Sequence, residues 1–243
     1  MLFGAGLGGE ESRKNSKLIN YSQLFNELDL LRSSQTVVIS IDGVAGSGKT
    51  TLAERLKSDL VSCQVVHMDD LYNGWNDPLS NELTERVISQ ILSPIKNQQP
   101  TKYERYNWYI ETFDLITSIP QSDFLILEGV GSGQREFRKF ISKLIWVELD
   151  PNAGFDRVIA RDGEGVRLAM LNFLVNQSNH FASFIDVNFR GFDSGGKSLA
   201  DPTLGQNPYR EFLGDDGTDD RRDGSEHRRA GGDRCDPRRE SSR

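Results

Sequence analysis

The sequence predicts an α/β protein, a three-layer sandwich on a mainly parallel sheet of about five strands. Three observations lead there. Short β-branched apolar runs alternate with segments of helical periodicity, the pattern of strands joined by crossover helices. The first strong run, "TVVISID" at 36–42, leads directly into a glycine-rich turn and then an amphipathic segment. The chain of 243 residues is long enough for one sizeable domain with appendages.

In chain order, residues 1–16, rich in Gly and charge, are expected to form a flexible arm. "SQLFNELDLL" carries Leu24, Phe25, Leu28 and Leu31 at helical spacing, with Ser22 as the expected N-cap. After the strand at 36–42, "TTLAERLKSDL" places Ala53, Leu56 and Leu60 on one helical face. "CQVVHM" reads as a second short strand and "NELTERVISQIL" as an amphipathic helix. "DFLILEG" at 123–129 and "KLIWVELD" at 143–150 read as further strands, "FDRVIARD" and "VRLAMLNFLVNQSNHF" as helices. "FIDVNFRGF" is the remaining strand candidate, and a short, displaced or missing last strand would expose a sheet edge. The organisation expected is an N-terminal arm and helix over 1–35, a main domain over 36–190, and a Gly- and charge-rich tail over 191–243. From Gly214 the chain has no lysine and no aliphatic residue larger than Ala, yet eight arginines. Such a segment cannot offset its ordering entropy by burial and is expected to be disordered. A solvated tail, a shifted reading frame and a functional basic tail are the three readings of it.

The turn between the first strand and its helix is "DGVAGSGKTT", residues 42–51. Its spacing, Gly43-x4-Gly48-Lys49-Thr50, is the phosphate-binding P-loop pattern. Glycines let the backbone curl so that amides point inward, and the following helix adds its positive end. Gly43, Val44, Ala45, Gly46, Ser47, Gly48, Lys49, Thr50 and Thr51 are the expected ATP-binding residues. Lys49 would reach the β and γ phosphates and the Thr50 hydroxyl would ligate Mg²⁺. A strand directly before the pattern and an amphipathic helix directly after make it specific, against the bland reading of a Gly-rich turn. The chain lacks an Asn-Lys-x-Asp base-reading motif, which argues against a GTPase. It also lacks the signature expected of transporter-type ATPases. In "VVHMDDLYNGW" a strand ends in two acids, and an aspartate there can face the γ-phosphate and take a proton from an acceptor hydroxyl. The alternative is a solvated turn. His67 and His180 are read as packed or hydrogen-bonded residues, and no His/Cys cluster suggests zinc.

"VVISIDGVAGSGKTTLAERL", "HMDDLY", "FLILEGVG" and "RVIARD" together resemble the uridine kinase-like branch of P-loop kinases, over about Val37 to Phe181. The resemblance implies a nucleoside/nucleotide kinase-like P-loop NTPase fold. It implies that Asp69, ahead of Leu71-Tyr72, is the catalytic base, and that Glu128 holds Mg²⁺ directly or through water. "YERYNW" matches the substrate-side segment, so Tyr106 and Trp108 become acceptor-side candidates, joined by Tyr72 of the Leu71-Tyr72 pair, with Asn107 where many relatives have Asp. Packing within an exposed hairpin is the competing reading of those aromatics. "FDRVIARD" matches the lid, whose Arg157 and Arg161, four apart, would close on the transferring phosphoryl group. Arg167 is a weaker third, an ordinary solvated helix face is the alternative, and Gly163 and Gly165 are the expected hinge.

The activity expected is ATP- and Mg²⁺-dependent phosphoryl transfer to a small-molecule hydroxyl, with uridine or cytidine first. The alternatives are a kinase of another small alcohol, such as a sugar or vitamin precursor, and a nucleotide-binding protein without transferase activity. A substrate panel separates the first pair, and ATP binding without acceptor-dependent ADP release would mark the last. The net charge of −7 argues against bulk nucleic-acid binding. Two widely separated cysteines point to a reducing compartment, and no leader or membrane span is read, so the expectation is a cytoplasmic protein. The resemblance also makes a homo-oligomer an expectation.

Overall fold

The computed structural model describes residues 3–7, 17–75 and 77–184. These fall within one compact unit, Met1–Leu213. The strand expected at 184–192 and the tail from 191 lie outside the described residues, apart from Phe184, which ends a helix.

The elements in chain order begin with β1 (Phe3–Leu7), β2 (Lys17–Ile19), α1 (Tyr21–Asp29), β3 (Val37–Asp42) and α2 (Lys49–Asp59). Next come β4 (Cys63–His67), α3 (Asn81–Val87), α4 (Ser93–Lys96) and the pair β5 (Thr101–Asn107) and β6 (Thr112–Ile119). They end with β7 (Phe124–Glu128), β8 (Lys143–Val147), α5 (Pro151–Asp162) and α6 (Arg167–Phe184).

Among the described residues the main sheet has the order β2-β1-β8-β3-β7-β4. Strands β8, β3, β7 and β4 run parallel. β3 and β7 lie inside the sheet and are buried along their whole length, which is why they read as continuous apolar runs. The period of two divides them cleanly. Val37, Ile39, Ile41, Phe124 and Ile126 join a core beneath α1 and α2. Val38, Leu125 and Leu127 join a second core beneath α3, α5 and α6. Two apolar cores on opposite faces of one sheet make the three-layer α/β sandwich that the sequence predicts.

The sheet has four parallel strands, and its remaining edge is covered in an unexpected way. Strand β1, inside the expected flexible arm, pairs antiparallel with β8 from Phe3↔Val147 to Leu7↔Lys143, and β2 pairs with β1. The β8 edge carries unpaired backbone groups, and an extended segment satisfies them whatever its composition. The first helix is capped by Asn20 rather than Ser22. Asn20 and Gln23 form a reciprocal capping box, with Gln23 N–H to Asn20 Oδ1 at 3.0 Å and Asn20 N–H to Gln23 Oε1 at 3.1 Å. The helix expected from 81 continues through a π turn at Ile88–Leu92 into α4. Pro94 has no N–H and crowds the preceding turn, which the wider π geometry accommodates. Helix α5 starts at Pro151, earlier than its apolar pattern suggests, because Asp150 caps it by accepting from Ala153 N–H at 3.0 Å.

Removing residues 1–16 uncovers the β8 edge and leaves β2 without its partner. The expected result is a melting temperature lower by several degrees, about 2–4 °C per kcal/mol lost in a chain of this size, with increased light scattering. Thermal denaturation followed by circular dichroism and scattering tests it.

Candidate functional site

The carboxyl ends of β3, β7 and β4 converge on one rim of the sheet, where ligands bind in open α/β folds. β3 delivers the glycine turn at 43–48, and Gly48, in the left-handed region at φ 95°, starts α2 without a side-chain cap. The first-turn amides of α2 therefore carry no side-chain oxygen and remain anion donors. Lys49 is buried, and its Nζ donates to the Gly43 and Val44 carbonyls at 3.0 and 2.8 Å. Burial lowers its pKa, an effect opposed by the Asp42, Glu128 and Asp69 charges. Among the described residues Ser47 Oγ is buried with no partner. A curled glycine loop, a buried ammonium and an orphaned hydroxyl form a donor set that fits a polyphosphate.

The loop is held by backbone contact as well. A Cβ on Gly46 would fall 2.2 Å from the Gly154 carbonyl oxygen, and one on Gly154 would fall 2.3 Å from the Ala45 oxygen. The loop and helix α5 thus meet main chain to main chain, which only glycine permits.

Beside the loop, Thr50 donates its hydroxyl to Glu128 Oε1 at 3.2 Å. The same oxygen lies 2.5 Å from His67 Nδ1. That hydrogen bond, with the neighbouring carboxylates, raises the His67 pKa. A hydroxyl and a carboxylate oxygen are hard ligands, which suits Mg²⁺, an ion that usually keeps several waters and takes few protein ligands. Among the described residues no group of three or more His, Cys, Asp or Glu is assembled for a metal.

Asp69 and Asp70 sit in a 3₁₀ turn at Met68–Asp70, directly after β4. Asp69 is solvent-exposed, although protein crowds its carboxyl from the sheet side of the turn. That crowding and the Glu128 charge raise its pKa, while Lys49, His67 and Arg161 act to lower it. Asp70 instead pairs with Arg105 of β5, Nε to Oδ1 at 3.1 Å. The hairpin is pinned a second time by Trp108, whose indole N–H donates to the Asp69 carbonyl at 3.1 Å.

The acceptor-side candidates separate. Tyr106 is buried edge-on to Trp108 and Phe113, both at 5.1 Å. Trp108 is 37 % exposed. Tyr72 is buried, and its hydroxyl donates to the Val130 carbonyl at 2.8 Å. Asn107 turns to its own hairpin, donating to Asp114 Oδ2 at 3.3 Å and accepting from Tyr109 N–H. On α5, Phe155, Val158 and Ile159 are buried and the two arginines exposed. Arg161 holds Asp162 with two bonds, at 2.6 and 2.7 Å, and contributes to the electrostatics of Asp69 and Lys49. Arg157 lies on the exposed surface of the same helix. Arg167 pairs with Glu164 over the Phe155 ring. Thr51 is exposed on α2.

Sequence reasoning missed four contributors. Asp42 accepts three backbone N–H bonds in the site's floor. Gln177 reaches the loop from α6. Trp75, 38 % exposed, faces Trp108 at 5.3 Å. His67, read as merely hydrogen-bonded, has the Thr50 partner Glu128 as its own partner. A usable signal existed only for Trp75, which closes the "DDLYNGW" stretch.

Comparison with known proteins gives a family and a fold for the chain. A family described as an AAA domain matches residues 39–174. A uridine kinase of Limosilactobacillus reuteri is 22 % identical over 210 residues, covering 76 % of this chain and 96 % of that protein. A uridine kinase of Lactobacillus johnsonii is 24 % identical over 183 residues, covering 67 % of this chain and 87 % of that one. Among solved structures, a candidate fructose transport system kinase from Silicibacter sp. TM1040 superposes with a TM-score of 0.56 at 16 % identity, covering 68 % of this chain and 95 % of that chain.

The close approach of Gly154 generates a prediction. Gly154→Ala forces the Ala45 carbonyl to move, so nucleoside triphosphate affinity should fall by about tenfold or more. Unchanged affinity in a titration would show that the loop does not depend on this contact.

Proposed function

The chain belongs to the AAA domain family, with relatives that are kinases, and from that premise we propose that it is an ATP-dependent phosphotransferase acting on a small-molecule hydroxyl, uridine or cytidine first. The observation that carries this reading is the grouping of Lys49, Thr50, Glu128 and Asp69 around the mouth of one phosphate loop. A nucleotide-binding module needs the first two residues. A carboxylate with raised pKa, open to the cleft beside them, suits proton transfer from an alcohol.

In this mechanism the amides from Gly46 to Thr51 and the Lys49 ammonium bind the triphosphate, since the Gly43 and Ala45 N–H groups are already given to Asp42 and Gln177. Thr50 and Glu128 would hold Mg²⁺, which when bound offsets phosphate charge. His67 orients Glu128 through its 2.5 Å bond. Asp69 accepts the proton of the attacking hydroxyl. Arg161, with Arg157 one turn before it, closes over the developing charge, which requires Arg161 to exchange its bond to Asp162 for one to phosphate. Trp108 and Tyr106, with Tyr72 behind them, form the apolar wall on the acceptor side.

ADP release from Mg-ATP, measured against nucleosides, sugars and pantothenate-like alcohols, tests the proposal. Acceptor-dependent release names the acceptor class, and ATP binding with no such release across the panel counts against a transferase. Lys49→Ala should weaken ATP binding and turnover together. Asp69→Asn should keep ATP binding and lose about two to four orders of magnitude in transfer.

The pH dependence has a defined sign. A base works only when ionised, and the Asp69 pKa is raised. Turnover should therefore be full at high pH and fall as pH drops through a value above the ordinary aspartate range. A kcat profile flat down to that ordinary range would remove Asp69 from the role of base.

A further inference from the structure

We infer that Gln177 on α6 is a positioning residue that fixes the tip of the phosphate loop, an inference that rests on the nucleotide-binding reading above. The Gln177 side-chain carbonyl Oε1 accepts the Ala45 N–H at 2.8 Å, across 132 residues of sequence. Gln177 is 1 % exposed. A backbone N–H needs an acceptor, so the amide orientation is set by chemistry.

Ala45 is the residue at which the loop turns. On its carbonyl side the next residue, Gly46, takes φ 74°, and the Ala45 oxygen packs against the Gly154 backbone of α5. On its amide side stands Gln177. The peptide groups on both sides of Ala45 are thus held by different helices, which leaves the loop one curl. The Ala45 amide is committed to α6, so the phosphate-facing donors begin after it. A loop fixed before its ligand arrives loses less entropy on binding.

α6 is suited to this task because its other contacts lie on the same side. Phe173, four residues before Gln177, packs against Tyr72 at 5.9 Å and Trp75 at 6.3 Å. His180, three residues after it, lies beside Gly131 of the loop that follows β7, and burial lowers its pKa to about 4. One helix face thus touches the phosphate loop, the β7 loop and the acceptor-side aromatics. The family match ends at residue 174, short of Gln177.

The test uses the full chain and two variants. Gln177→Met keeps side-chain length and removes the acceptor. Gln177→Glu keeps an acceptor oxygen at the same place and adds a charge that, being buried, salt screens little. Three quantities are read: ATP affinity with Mg²⁺ by calorimetry, hydrogen exchange of the Ala45 amide by NMR, and melting temperature. Gln177→Met should bind ATP about tenfold more weakly and expose the Ala45 amide to exchange at least about tenfold faster, with melting lower by no more than about a few degrees. Gln177→Glu, which keeps the acceptor, should retain Ala45 protection whatever its buried charge does to affinity. ATP binding by Gln177→Met within about twofold of wild type overturns the inference, as does exchange of the Ala45 amide in Gln177→Glu as fast as in Gln177→Met. Absence of ATP binding by the wild-type chain would instead sink the functional reading, and this inference with it.

Discussion

Three amides meeting on one buried carboxylate hold the site's floor together. Asp42, the last residue of β3, accepts from Gly43 N–H at 2.7 Å and Gly131 N–H at 3.1 Å through one oxygen, and from Gly133 N–H at 2.8 Å through the other. The phosphate loop and the loop after β7 are thereby joined at a buried point. Hydrogen bonds to a charged group are worth about 1.5–3 kcal/mol each, while burying an ion costs several kcal/mol. Burial prevails in setting its acidity, because the Asp42 pKa is raised despite the three amides and Lys49. A folded pKa above the unfolded one means that ionisation of Asp42 works against the fold as pH rises through the folded value. Below the unfolded pKa that penalty is absent. The fold accepts this cost, and in return two flexible glycine segments are held in fixed relation.

The same concentration of charge explains the behaviour of Lys49. Its ammonium sits among Asp42, Asp69 and Glu128, yet its hydrogen bonds go to the Gly43 and Val44 carbonyls of its own loop. Carbonyl oxygens are weaker acceptors than an anionic oxygen. A phosphate therefore offers Lys49 a better partner and relieves repulsion among the acids through the cations it brings. Glu128 illustrates the complementary restraint. With Thr50 and His67 both on Oε1, its carboxylate is oriented from two sides before any ligand engages it.

How much of this was legible in the sequence depended on distance along the chain. The glycine spacing, the buried strands and the apolar faces of α2 and α5 are local patterns, and they read correctly. Asp42 looked like the end of a strand because its three partners include two glycines some ninety residues away. Gln177 looked like any polar residue on an amphipathic helix, since nothing near it in sequence signals a bond to Ala45. The N-cap was missed by two positions because Asn20 and Ser22 cap equally well by type, and Gln23 three residues after Asn20, which completes the reciprocal pair, decides between them. Strand β1 was read as flexible because its residues have no strand pattern. The β8 edge decides its conformation, and an edge is a property of the folded sheet.

Asp69 and Asp70 show how neighbours of identical chemistry are given different work. The Asp70 charge is spent on Arg105, which fastens the β5–β6 hairpin to the turn after β4. The Asp69 carboxylate is left at the cleft, while its backbone carbonyl takes the Trp108 indole N–H. The hairpin thus grips the main chain of one aspartate and the side chain of the other. Trp108 in turn leans on Trp75 and Tyr106, so the aromatic wall and the acidic turn form one mechanical unit. In the proposed reaction, an acceptor that presses on that wall would also bear on the backbone of Asp69, so the wall would govern both which molecules fit and where the carboxylate stands when they do.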